Sequence, residues 1–188
     1  YPGGALGNTS SCGKCIMELY EWGWIKKIPR IAVINAEGAN TLDVLYNGKF
    51  EDTKLRWNKG DPDVELIERY YSKMQKDGIR PKTKATAIQI GKPANIIKAL
   101  RALEFTNGVV TYVTDNEMLD GMSIVGLNGF DCEMASGSVP AGVKKLLDNE
   151  VIKKDDKIIG ILTGRQKEPL LPINYHNEST NKFARPPK

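Results

Sequence analysis

The 188 residues are 40% hydrophobic and 27% charged, the balance of a folded chain that can bury a core and not that of a disordered one. The net charge of +4 comes from basic pairs (Lys26-Lys27, Lys144-Lys145, Lys153-Lys154) that are scattered along the chain, which argues for a solvated surface and against nucleic acid as a partner. No apolar run approaches the ~20 residues of a membrane span, no signal-peptide pattern opens the chain, and three cysteines make no disulfide framework; a cytoplasmic protein without a membrane partner is expected.

In chain order, Tyr1 leads at once into the run Gly3-Gly4-Ala5-Leu6-Gly7-Asn8-Thr9-Ser10, with no strand ahead to hold it. Ser10–Trp22 reads as an amphipathic helix with Cys12, Ile16, Leu19 and Trp22 on one stripe, and Gly23 suits a left-handed stop. Arg30–Asn35 is short, apolar and branched, as in a strand covered on both faces. From Tyr46 to Lys84 the charge density rises and turn signals appear at Asn47-Gly48 and Lys59-Gly60-Asp61-Pro62. Within this stretch, Val64–Lys76 carries helical spacing at Ile67, Tyr70, Tyr71 and Met74, ended by Gly78. The stretch from about 47 to 84 is read as an outer insertion, not a separate domain.

Regular alternation then resumes. Ala85–Ile90 is strand-like, Ala94–Glu104 helical and Val109–Thr114 a strand. A helix begins at Asp115, Phe130–Glu133 reads as a short strand, and Val139–Asn149 reads as a helix with Pro140 in its first turn. Lys157–Leu162 reads as the last strand, and a proline-bearing tail covers 170–188. Strands alternating with helices predict an α/β fold, a parallel sheet flanked by helices, with residues 1–169 as one domain.

The glycine run before a helix has a specific chemistry. Glycines let successive amides converge, and the helix start adds unpaired donors and the positive end of its dipole, which together suit a phosphate. Asn8, Thr9 and Ser10 add donors, and one of them could cap the helix. The spacing fits neither a Walker loop nor a dinucleotide fingerprint. Cys12 and Cys15 have redox spacing, but packing on the helix explains them better. A non-catalytic phosphate-binding module and a thiol redox protein are the readings from other classes. Asp155-Asp156 has no calcium-loop spacing, His176 is the sole histidine, and no metal set is expected.

The run Pro2–Thr9 followed by Gly13-Lys14 resembles the cofactor-phosphate loop of threonine synthases. Ile34–Ala39, Thr86–Gly91 with Pro93, Lys98–Ala102, and Ile161–Gly164 with Pro169 follow in that family's order. The resemblance implies a fold-type II pyridoxal-phosphate enzyme of the tryptophan synthase β-like kind. It would convert O-phospho-L-homoserine and water into L-threonine and phosphate; a threonine or serine dehydratase is the near alternative. It further implies cofactor-phosphate contacts from the backbone of Gly4, Ala5, Leu6, Gly7 and Asn8, and Thr163 against the pyridine nitrogen. A neutral hydroxyl there would suit an unprotonated ring nitrogen. Glu133, with Ala135 and Ser136, matches an acidic-plus-small turn beside the cofactor, although Met134 stands where proline is usual. The family's Schiff-base lysine has no matching segment. The chain therefore reads as the C-terminal part, with the N-terminal half of the same enzyme as its partner. By this reading no catalytic residue lies in it, it is inactive alone, and a homodimer is left open.

Overall fold

The computed structural model describes residues 1–52, 55, 57–58 and 60–165. Two parallel strands, β1 (Ala32–Ala36) and β4 (Val109–Val113), pair in register from Ala32 with Val109 to Ala36 with Val113. The first residues extend this sheet. Ile34 N–H donates to Tyr1 O, Gly3 N–H donates to Ile34 O, and Pro2 bridges Ile34 in the parallel sense. The glycine run thus leaves the end of a strand-like segment, although the sequence offered too few residues to read one.

Helix α1 spans Gly7–Glu21, three residues earlier than its apolar stripe predicts. Trp22 and Gly23 close it, with Gly23 at φ 74° as expected. Gly13 lets α1 approach α4 (Ile96–Phe105), because a Cβ there would collide with Ala102. Helix α2 (Thr41–Tyr46) follows β1. An antiparallel pair, β2 (Trp57–Asn58) and β3 (Asp61–Pro62), precedes α3 (Val64–Lys76), whose N-cap Asp63 accepts from Leu66 N–H. Leu66 and Ile67 bury in one core with Leu42, Leu45, Val33, Leu100 and Leu103. A second cluster on the other side of β1 joins Ile34, Ile88, Val113, Met118 and Ala135.

Three predicted strands are not strands. Ala85–Ile90 contains a single 3-10 turn, Thr86–Ile88, because Asp115 accepts from Thr83 Oγ1 and Lys84 N–H and curls the chain there. Phe130–Glu133 is irregular and becomes the entry to α6 (Met134–Asp148). Lys157–Leu162 pairs with no strand among the described residues, and Ile159 is exposed. Pro140 was expected in a first turn but sits well inside α6, which starts five residues before Val139. The reason is close packing on α5 (Asp115–Leu127). Gly121 and Gly137 have no room for a Cβ against the facing backbone, and Pro140 lies on Gly121. That packing holds a helical stretch whose Gly, Ser and Pro content gives little intrinsic preference for it. The predicted tail with His176, and Pro169 just before it, lie outside the described residues. No helix among the described residues is long and apolar enough to cross a membrane.

Candidate functional site

In a parallel sheet each strand ends where the following helix begins, so loops and helix N-termini collect along one edge. The glycine run occupies that edge. Leu6 adopts the left-handed conformation, φ 63°, and is the N-cap of α1. It provides no side-chain cap, and neither Asn8, Thr9 nor Ser10 serves as one; Ser10 Oγ donates to Gly7 O instead. Gly3 N–H is taken by Ile34 and Ser10 N–H by Leu6 O. Between them, the amides of Gly4, Ala5, Leu6, Gly7 and Asn8 donate to no acceptor among the described residues. Unpaired donors at the positive end of a 15-residue helix are chemically suited to an anion. Thr9 Oγ1 is fully buried and also has no partner among the described residues.

The loop is held rigidly. Asn35 Nδ2 donates to Gly3 O at 2.8 Å, and Asn35 Oδ1 accepts from Asp43 N–H at 3.0 Å. Asn95 donates to Ala5 O through both its amide and its Nδ2, each at 3.2 Å. Gly4 lies against Ala87 and Ile88, where an added Cβ would come to 3.0 Å of Ala87 O. Asn35 and Asn95 were not singled out in the sequence. The available signal was an amide side chain in the middle of an otherwise apolar strand, since such a group buries only when paired.

The second element is the turn at Thr163. Thr163 N–H and Gly164 N–H donate to Ser136 Oγ at 2.8 and 3.3 Å, and Glu133 N–H donates to Gly164 O at 2.9 Å. Thr163 Oγ1 lies 3.2 Å from Glu133 Oε1 and 3.3 Å from Ser136 Oγ. Gly164 lies close against the Glu133 carboxylate, which a Cβ there would approach to 2.6 Å and push aside. Of the residues expected to act together, Glu133 and Thr163 are in contact, and Gly4 to Asn8 form one loop. Intervening elements link the two groups indirectly. Gly4 rests on Ile88, the Thr86–Ile88 turn packs on α6, and α6 seats Gly142 on Ile34.

The cysteines do not form a second centre. Cys12 is half-buried and receives the Tyr1 hydroxyl at 2.8 Å, whereas Cys15 is exposed, so packing accounts for Cys12 alone. Cys132 is buried, and burial, reinforced by Asp131 and Glu133, pushes its thiol up to about 11. It is held as a neutral thiol. Trp22 and Trp24 are exposed and meet edge-on against each other. No group of three or more His, Cys, Asp or Glu fit to hold a metal occurs among the described residues.

Fold and site together define an α/β protein whose parallel strands bring a glycine-rich, amide-lined helix start to one edge of the sheet. Among known proteins, a threonine synthase of Methanocaldococcus jannaschii is 34% identical over 179 residues, 94% of this chain and 39% of that enzyme. One of Methanosarcina acetivorans is 31% identical over 95% of the chain and 39% of its own length. The threonine synthase 2, chloroplastic, of Arabidopsis thaliana is 27% identical over 97% of the chain and 32% of its own length. No protein-family model matches the chain. The chain is a homologue of the threonine synthases and corresponds to their C-terminal part, spanning about 39% of the length of the archaeal relatives.

Proposed function

We propose that this chain supplies the phosphate-gripping half of a pyridoxal-phosphate site in a threonine synthase acting on O-phospho-L-homoserine and water to give L-threonine and inorganic phosphate. The observation that carries the reading is the set of five unpaired amides, Gly4 to Asn8, at the start of α1. The chemistry of the donors fits the ester phosphate: neutral backbone N–H groups and a helix dipole favour the dianion without needing a counter-charge. The unpartnered Thr9 hydroxyl fits as a further donor to the same group.

When bound, pyridoxal phosphate supplies the electron sink for chemistry at the substrate's carbon atoms. The residues of this chain bind and orient it. Asn35 and Asn95 hold the loop carbonyls of Gly3 and Ala5. Thr163, tied to Ser136 and Glu133, would stand against the ring nitrogen. The Glu133 carboxylate, 3.2 Å from the Thr163 hydroxyl, would lie beside the same group. No lysine in the chain is assigned the covalent role, which falls to the remainder of the enzyme, and the isolated chain is proposed to be inactive.

Two measurements test this. Titration with pyridoxal phosphate and with inorganic phosphate, followed by amide NMR, is expected to shift Gly4 through Asn8 first. Gly4→Ala, which crowds the Ala87 carbonyl, is expected to weaken both ligands about ten-fold or more, the worth of one or two charge-assisted hydrogen bonds. Shifts confined elsewhere would refute the loop assignment. Phosphate release from O-phospho-L-homoserine by the 188-residue chain alone is expected to be absent, and robust turnover would overturn the claim that the rest of the enzyme is needed.

A further inference from the structure

The C-terminal end of α1 carries an aromatic face that nothing among the described residues covers. Trp22 is 62% exposed, Trp24 74% and Tyr20 44%, whereas tryptophan in a folded chain usually loses most of its surface. The two indoles meet edge-on with 5.8 Å between their centroids. They stand on a fixed scaffold. Trp22 N–H donates to Glu18 O, Gly23 N–H to Tyr20 O and Trp24 N–H to Leu19 O. Ile25 and Ile28, which follow, pack on the core, and Tyr20 leans edge-on against Phe105 of α4. Rigidly presented aromatic rings lose little entropy on association, and tryptophan is enriched among the residues that carry interfaces.

Area and charge select the occupant. Burying an aromatic side chain removes about 150–250 Å² from water, so the exposed fractions of Trp22, Trp24 and Tyr20 amount to about 400 Å². A standard dimer takes about 800 Å² from each partner, a little over half of it apolar. The aromatic face supplies about that apolar half. A polar rim is present too. Glu21 precedes the tryptophans and Lys26-Lys27 follow them; all three are exposed and make no ion pair among the described residues. Opposite charges on either side of one apolar centre are self-complementary under a two-fold rotation. A lipid surface would call for one sign of charge around the rings. The remainder of the enzyme is needed elsewhere. Helix α1 has 15 residues, which puts the tryptophans about 22 Å from the glycine loop. A separate exposed apolar set, Phe130, Ile158, Ile159 and Leu162, borders the Thr163 turn.

We propose that the Trp22–Trp24 face joins two copies of this chain in a symmetric dimer, a contact separate from the cofactor site. The tryptophan pairs meet at its centre, and Glu21 of one protomer faces Lys26-Lys27 of its partner at the rim. Sedimentation equilibrium of the 188-residue chain over a concentration series tests this. A dimer with a dissociation constant of about micromolar or tighter is expected, and its tryptophan emission is expected to move to the red on dilution. Trp22→Ala combined with Trp24→Ala is expected to weaken it about a hundred-fold or more, since symmetry removes each ring twice. Both rings are exposed, so the protomer keeps its core. Glu21→Lys is expected to weaken the dimer about three- to ten-fold, and adding Lys26→Glu and Lys27→Glu to restore it. A chain that stays monomeric well above that range, or a dimer that the double tryptophan variant leaves intact, would overturn the proposal. A charge swap that restores nothing would overturn the pairing at the rim. Capture of the monomer by phosphatidylserine vesicles through the same rings would give the face to a membrane. Burial of the rings only on adding the remainder of the enzyme would give it to that part, and either result sinks the dimer.

Discussion

Asn35 offers the sharpest test of how the loop is built. Its side chain is 2% exposed and serves two partners at once, the Gly3 carbonyl at 2.8 Å and the Asp43 amide at 3.0 Å. The second partner lies in the first turn of α2, whose own N-cap residue, Asn40, makes no side-chain bond. Asn35 therefore caps α2 from the neighbouring strand while fixing the glycine loop. Asn35→Ala strands one buried acceptor and one buried donor. At about 1–3 kcal/mol for each unsatisfied group, the expected loss is about 2–6 kcal/mol. Urea unfolding of the chain followed by tryptophan fluorescence measures it, with an unchanged slope showing that the unfolded state is not the cause. Asn35→Asp sharpens the test. It keeps the acceptor for Asp43 but sets a carboxylate against the Gly3 carbonyl. This carboxyl is favoured in its protonated form in the fold, so the variant is expected to regain stability as pH falls. A loss under about 0.5 kcal/mol in Asn35→Ala, within the range of ordinary surface changes, would refute the argument that this side chain holds the loop.

Helix α5 begins with a reciprocal cap, in which Glu117 accepts from Thr114 N–H at 2.6 Å and Thr114 Oγ1 accepts from Glu117 N–H at 3.2 Å. Glu117→Ala is expected to cost about 1 kcal/mol in the same unfolding assay. The thiols should separate by reactivity. At pH 8, Ellman's reagent is expected to modify exposed Cys15 at once and buried Cys132 only on unfolding. The Cys132 thiol, raised by burial from 9.0 to about 11 in the fold, binds its proton more tightly folded than unfolded. Stability is therefore expected to hold below pH 9 and to fall between pH 9 and 11 by about 2–3 kcal/mol. Cys132→Ala should flatten that part of the profile, and an unchanged slope in the variant would exclude the thiol as its source.

The sequence by itself determined the elements whose local pattern and stop signals agree. Helix α3 was readable to its ends because Asp63 caps it and Gly78 closes it. Strands β1 and β4 were readable because a branched apolar run of five or six residues is too short to pay the nucleation cost of a helix. The glycine run was legible as a turn leading into a helix, because glycines admit the backbone angles such a turn uses. What only the tertiary structure decided is the fate of runs whose pattern is ambiguous. Ala85–Ile90 and Lys157–Leu162 have the composition of strands, yet a strand exists only if a neighbour offers its hydrogen bonds. Asp115, about thirty residues downstream, diverts the first into a turn. Helix α6 begins early because packing against Gly121 outweighs the weak propensity of its own residues. The polar contacts that shape the candidate site follow the same rule. Asn35 reaches Gly3 across 32 positions and Ser136 reaches Thr163 across 27. Local spacing constrains neighbours a turn or a pleat apart, whereas these partners were chosen by which strand ends and helix starts the fold brought to one edge.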